Sequence, residues 1–327
     1  MNRRILKSVL RGRFEVWKAT IKDENVRKLV DQNTIISGGS IASLLMNEKV
    51  NDFDVYFRNK ETVLAVARYY LAVFTEANKS NSDLIKGFHV REEDGPEGQP
   101  ARVRIRIQSA GMAGEETDQG EYQYFESQPP EVGEEYIEQS IQGNLEEADD
   151  LPAERLEDKK GKGKKEKKPR FRPVFLSDNA ITLSDKIQII IRFYGDPEEV
   201  HSNFDYVHCM NYWTSWDGEL MLRSEALESL LVKQLIYVGS KYPVCSAIRM
   251  RKFVKRGWHI NAGQILKICL QISELDLNDI KVLEDQLTGV DTAYFTQMIS
   301  WIKDKQQKDQ EFQLNMPYLV SLIDKLF

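Results

Sequence analysis

Residues 35–57 read Ile-Ile-Ser-Gly-Gly-Ser-Ile-Ala-Ser-Leu-Leu-Met-Asn-Glu-Lys-Val-Asn-Asp-Phe-Asp-Val-Tyr-Phe. A short apolar run ends at Gly38-Gly39-Ser40, and the residues that follow have helical character. Paired glycines let a backbone approach an anion closely, and the first turn of the helix offers it N–H groups and a favourable dipole. Further on, Asp52 and Asp54 alternate with apolar residues, so on a strand both carboxylates point the same way. Two adjacent like charges repel unless a divalent cation sits between them. The stretch therefore reads as a phosphate cradle, Gly38, Gly39 and Ser40, beside a metal site, Asp52 and Asp54. The plainer alternative is a strand, a tight turn and a capped helix followed by a solvent-edge strand.

This order of a glycine-glycine-serine turn, a helix and an Asp-x-Asp strand resembles the signature of the DNA polymerase β-type nucleotidyltransferase superfamily. That superfamily includes CCA-adding and poly(A) polymerases, antibiotic nucleotidyltransferases and protein-nucleotidylating enzymes. The chain is also similar in general character to nucleotidyltransferase-like proteins encoded by bacteriophages. The resemblance implies an α+β fold, a small mixed β-sheet with packed helices. It also implies a nucleoside triphosphate as donor and a third carboxylate on a later strand. In that scheme Asp52 and Asp54 bind two Mg²⁺ ions, and the third acid holds the ion that activates the acceptor hydroxyl. Gly38, Gly39 and Ser40 would hold the β- and γ-phosphates, and pyrophosphate would leave. An RNA 3′ end, a protein hydroxyl and a small molecule all suit such a core as acceptors.

The best candidate for the third acid is Asp205, in Ser202-Asn203-Phe204-Asp205-Tyr206-Val207-His208-Cys209. Phe204, Tyr206 and His208 share one parity and Asp205 the other, so a strand over 204–208 would project Asp205 from one face. Upstream, Ile187 to Phe193 is an apolar run broken by Gln188 and Arg192, which suits a buried strand. Asp185 and Glu199 are alternatives, ranked lower because acids in turns are usually caps. The separation of Asp54 from Asp205 is longer than a compact member of the superfamily needs.

Composition accounts for that length. From residue 113 to 158 there are sixteen acidic residues and one basic residue, Arg155. From 159 to 172 the sign reverses, with nine positive side chains against one acid. Such segments cannot bury enough surface to offset their ordering entropy. Residues 92–170 are therefore read as a disordered insertion in the catalytic core, with a short strand at Val103–Ile107. The basic block neutralises the adjacent acidic tract or touches nucleic-acid phosphates.

The expected domains are a core of 1–91 and 171–222, this insertion, and a helical C-terminal domain of 223–327. Expected elements are a helix over 3–31, strands at 34–37 and 53–57, and helices at 40–46 and 60–77, the last capped by Asn59. Strands follow at 180–183 and 187–193, and helices at 224–237, 244–256, 261–272, 277–286, 291–309 and 316–326. Arg249, Arg251, Lys252, Lys255 and Arg256 make one of these helices basic, suited to a triphosphate or an RNA backbone with Trp258 stacking on a base, or simply solvated. His208 and Cys209 lack a second pair at metal-ligand spacing, and Tyr212, Trp213 and Trp216 suit core packing.

A hydrophobic content of 41% can supply two cores, and the net charge of −6 comes mostly from the insertion, so charge does not argue against a nucleic-acid partner. Cys209, Cys245 and Cys269 are odd in number and far apart, which points to a reducing cytoplasm. No apolar run is long enough for a membrane span, and the expected location is cytoplasmic, in the host if the protein is viral. The sequence thus favours a metal-dependent nucleotidyltransferase with an RNA or protein acceptor. The rival is an inert nucleotidyltransferase-like scaffold that binds a protein or nucleic-acid partner.

Overall fold

The computed structural model describes residues 1–78, 89–93, 102–106, 112–113, 170–177, 179–287, 293–309 and 312–326. The chain opens with helices α1 (Arg3–Thr20) and α2 (Glu24–Asn33), where a single helix over 3–31 was expected. The break has a local cause. Asp23 accepts the N–H groups of Asn25 and Val26 and so starts a second helix, while Ile21 turns into the core.

Strand β1 (Thr34–Ser37), helix α3 (Gly39–Met46), strand β2 (Phe53–Phe57) and helix α4 (Lys60–Ala77) follow, as the sequence predicts. Asn59 caps α4 by accepting the Thr62 N–H. Strands β3 (His89–Glu93) and β4 (Arg102–Arg106) pair with each other. Then come β5 (Met112–Ala113), β6 (Pro173–Leu176), β7 (Ala180–Leu183), β8 (Ile187–Tyr194), the short helix α5 (Pro197–His201), a 3-10 turn at Val207–Cys209, and strands β9 (Tyr212–Thr214) and β10 (Leu220–Met221). The carboxy-terminal part is helical: α6 (Ser224–Val232), α7 (Pro243–Lys255), α8 (Ala262–Ser273), α9 (Ile280–Leu287), α10 (Ala293–Lys308) and α11 (Met316–Leu326).

The main sheet runs β10-β9-β1-β2-β8-β7-β6-β5. Its pairs are antiparallel except β2 with β8, which makes the sheet mixed. Period-2 alternation divides the faces. Ile36, Phe53, Val55, Phe57, Ile187, Ile189, Ile191 and Trp213 belong to the main core together with Leu6, Leu10, Phe14 and Trp17 of α1 and the inner side of α4. Each such side chain contributes roughly 1.5–3 kcal/mol on full burial. The opposite face carries the row Ser37, Asp54, Gln188 and Thr182, with Ile35, Tyr56 and Ile190 beyond it.

Strand β4 occupies the place of the strand expected at Val103–Ile107, and its Val103 and Ile105 are fully buried in the main core. The beginning of the span read as a disordered insertion is therefore structured: β4, β5 and the end of β3 lie within it. The acidic tract, apart from Ala113, and most of the basic block, at 114–169, lie outside the described residues. Among the described residues no helix is long and apolar enough to cross a membrane.

The helical part has its own core, built from Leu283, Leu287, Ile302, Leu319 and Leu322 among others. A second cluster ties it to α3, where Ala42 meets Tyr206, Leu235, Tyr237 and Trp258. Arg192 of β8 adds a polar tie. It is only 4% exposed, donates to Tyr242 Oη at 2.5 Å and Asp285 Oδ1 at 3.2 Å, and lies 4.3 Å over the Tyr242 ring. Removing one member of a buried charged pair leaves the other uncompensated, although here Asp285 is partly exposed and screened. Arg192→Ala should therefore cost about 1–3 kcal/mol in urea unfolding followed by tryptophan fluorescence. A loss indistinguishable from zero would show that this arginine does not hold the two parts together.

Candidate active site

The turn between β1 and α3 is built around Gly38, whose φ of 87° and ψ of −155° are open to glycine and strained for other residues. Close approach makes the same demand. A Cβ at Gly38 would sit 2.5 Å from Asp54 Oδ2, so the glycine turn and the Asp-x-Asp strand are packed against each other. The Gly38 N–H donates to the Cys209 carbonyl at 3.1 Å. Ser37 Oγ donates to the Asn211 carbonyl at 2.8 Å, which leaves His201 Nε2, also at 2.8 Å, as donor to it. Burial, then the charge of Arg223, hold His201 down to about 3, so the ring is neutral.

The three residues expected to hold phosphates thus differ in setting. Gly39, the first residue of α3, fronts open space: a Cβ there would meet nothing within 4 Å. Gly38 has committed its N–H and serves the shape of the turn. Ser40 is buried and directs its hydroxyl towards the Ser37 carbonyl at 3.5 Å.

Asp54 projects from β2 beside Ser37 of β1 and Gln188 of β8. Burial, reinforced by the negative charge of Asp52, pushes its carboxyl up to about 7. Burial also raises Asp52, against the opposing charge of Lys186. Two desolvated carboxylates, with the charge of Asp52 raising the proton affinity of Asp54, form a site where a divalent cation would relieve the repulsion, and in that respect the pair fits a metal ion.

The third acid is where sequence and structure part. Residues 204–208 form no strand. Asp205 lies in a bend after α5, Tyr206 makes a single bridge to Tyr237, and the 3-10 turn begins at Val207. The alternation was too short to specify a strand, and the helical part takes up the segment: the Val238 N–H donates to the Asp205 carbonyl at 3.0 Å. The Asp205 carboxylate is buried and paired with Arg249 at 2.7 Å. It remains near the site, since both Asp205 and Asp54 act, after burial, to push up Tyr56 and the Cys209 thiol. Among the described residues no group of three or more His, Cys, Asp or Glu side chains is placed to hold a metal. Asp52, Asp54 and Asp205 are thus not grouped as a set of three ligands among the described residues.

The alternatives serve turns. Glu199 accepts the Asp196 N–H at 2.8 Å in the capping box of α5. Asp185, at φ 63°, accepts from the Phe171 N–H at 3.3 Å and from Arg170 at 3.2 Å. The side chain that stands next to Asp54 on the adjacent parallel strand is Gln188. A polar residue between Ile187 and Ile189 in an apolar run was the available signal for it.

Two cations of the basic helix are paired with acids of the chain. Arg249 meets Asp205, and Arg256, two turns later, donates to Glu48 at 2.7 Å and Ser43 Oγ at 3.4 Å. Burial raises the Glu48 carboxyl, but hydrogen bonds from Arg256 and Lys233 outweigh it and hold the group below its ordinary value. Trp258 is not a stacking platform: it is buried with its ring 4.3 Å from His208. His208, held down to about 3 by burial and then by Arg256, sits among Tyr206, Phe253 and Trp258 as a neutral packing residue. Trp213 is core, 5.2 Å from Phe14, and Trp216 stacks under Arg58.

These values carry a pH signature. Asp54 binds its proton near pH 7 in the folded chain and near 3.8 when unfolded. Between those values the folded state holds more protons, so this group's contribution to stability falls as pH rises. His201 and His208 act oppositely: unfolding lets them take up protons below about 6.5, so acid favours unfolding through them. Asp54→Asn isolates the first effect. In metal-free buffer the variant should be more stable than wild type at pH 8 by on the order of 2 kcal/mol, with the gain vanishing at pH 4, where Asp54 is protonated anyway. Melting temperatures at the two pH values check this, and an equal gain at both would exclude the carboxylate charge as its cause.

The description of the matching family model reads Gabija anti-defense 2 family protein, and the match covers residues 8–233. One relative, "Gabija anti-defense 2" of Bacillus phage SPbetaL7, is 23% identical over 131 residues, which is 39% of this chain and 32% of the relative. The match thus spans about a third of that relative's length. No solved structure matches the chain. The family model takes in well over half of the sequence, including the whole sheet, the Gly38 turn and both site aspartates, and on that extent the chain belongs to the Gabija anti-defense 2 family.

Proposed function

We infer that this protein is a nucleotidyltransferase of the polymerase β type. It would move a nucleoside monophosphate from a nucleoside triphosphate to a hydroxyl on RNA, protein or a small molecule, with release of pyrophosphate. We further infer that this transfer, in the host cytoplasm, is how it acts against Gabija, the system in its family's title. The supporting observation is the contact that only glycine permits between the β1–α3 turn and the Asp54 carboxylate. It brings the open start of α3 and the acid pair to one place, as phosphate binding beside a cation requires.

Asp52 and Asp54 would hold the cation, which when bound supplies charge for the triphosphate and for the oxygen that leaves. The chain's own groups do the positioning. The N-terminal turn of α3, entered at Gly39, offers N–H groups to phosphate oxygens. Ser37, held between the neutral His201 and the Asn211 carbonyl, fixes the turn that aims them. Arg249, paired with Asp205, places a guanidinium whose charge also acts on Tyr56. The rival reading, an inert scaffold of the same fold, is favoured by two observations: β8 carries no acid beside Asp54, and Asp205 is paired with Arg249.

The two readings separate in one assay. Full-length protein is incubated with each α-labelled nucleoside triphosphate, Mg²⁺ and cell extract, and labelled RNA, protein and small molecules are resolved. The enzyme reading expects one labelled class, reduced at least about 100-fold by Asp54→Asn. In cells carrying Gabija, the same variant should lose protection of an infecting phage. Persistent protection by Asp54→Asn, with no labelled product from wild type, would establish the scaffold reading instead.

Gly38→Ala gives a second check. The added methyl group meets both the unfavourable φ and the Asp54 carboxylate, so nucleotide affinity measured by calorimetry should fall at least about tenfold. Unchanged affinity would separate the turn from the nucleotide site.

A further inference from the structure

Asp54 of β2 and Gln188 of β8 are partners in the one parallel pairing of the main sheet. Neighbouring strands lie about 4.8 Å apart, and partners in register project from the same face. Both side chains are half-buried, so they share one environment. The row continues on each side with hydroxyl residues, Ser37 on β1 and Thr182 on β7. Ser37 is occupied by Asn211 and His201, and Asp205 by Arg249. The group that flanks the acid pair from β8 is therefore an amide.

We propose that Gln188 takes the third-ligand position of this site, so that Asp52 and Asp54 hold one divalent cation and Gln188 adds only a neutral carbonyl oxygen. The proposal rests on the reading of the acid pair as a cation site and adds its stoichiometry. The physical basis is charge. Each anionic ligand contributes to the affinity for a hard cation, and an amide contributes a dipole where a carboxylate would contribute a full charge. Two carboxylates offset one dication. A second dication beside it would meet the first with no remaining anion to separate them.

The test uses Mn²⁺ as probe on the full chain, with affinity and stoichiometry from calorimetry and free ion followed by electron paramagnetic resonance. Wild type should bind one Mn²⁺. Gln188→Asp and Gln188→Glu should bind Mn²⁺ at least about tenfold more tightly, with a lower melting temperature in metal-free buffer and a larger Mn²⁺-induced rise. Asp205→Asn should leave Mn²⁺ affinity within twofold of wild type. The two acidic variants differ in reach, so folding of either one, verified by circular dichroism, is sufficient. The proposal is overturned if a folded acidic variant binds Mn²⁺ no more tightly than wild type, or if Asp205→Asn weakens binding tenfold. Unchanged Mn²⁺ affinity in the Asp52→Asn, Asp54→Asn double variant would instead remove the acid pair itself, and the cation reading of the site with it.

Discussion

The alternation along β2 is the constraint from which the rest of the molecule follows. Phe53, Val55 and Phe57 enter the main core, which forces Asp54 and Tyr56 to the other face. Because β2 is flanked by β1 and β8, that face inherits Ser37 from one side and Gln188 from the other. A slip of one residue would bury Asp54 among isoleucines and expose Phe53, so the same apolar burial that stabilises the sheet fixes the site. The site is costly for the same reason. It concentrates desolvated charge at the centre of the sheet, where the raised proton affinity of Asp54 records the strain.

The helical part is joined to that face by cations. Arg192 reaches from β8 to Tyr242 and Asp285, Arg249 reaches from α7 to Asp205, and Arg256 reaches from the end of α7 to Glu48. Arg249 and Arg256 are seven residues apart, two helical turns, and so lie on one side of α7. The charge that the sequence presents as a basic stripe for a polyanion is thus partly spent on intramolecular pairing. These polar ties add to the apolar contact between Ala42 of α3 and the helical part.

Much of the architecture was legible in the sequence. β1, β2, β7 and α4 fall where predicted, because period-2 and period-3.6 patterns are strong there and Gly38 and Asn59 mark the junctions. The strand expected around Asp205 did not form because Phe204, Tyr206 and His208 mimic a strand's alternation, while Phe204 packs on Tyr56 and Tyr206 and His208 enter an aromatic cluster with Phe253, Tyr237 and Trp258. β9 and β10 escaped notice because they are short and depend on pairing with β1, which is distant in sequence. Gln188 escaped because its importance comes from register, and register between distant parallel strands has no local signature.

Residues 112–113 of β5 pair with 175–176 of β6, so the chain positions on either side of the acidic and basic tracts are neighbours at the β5 edge of the main sheet. That edge is separated from β2 by β8, β7 and β6. The sequence between the paired positions can therefore differ in length or charge while the register of β2 against β8 stays as it is. Such a separation lets a lineage alter that sequence while the acid pair at the centre of the sheet is held constant.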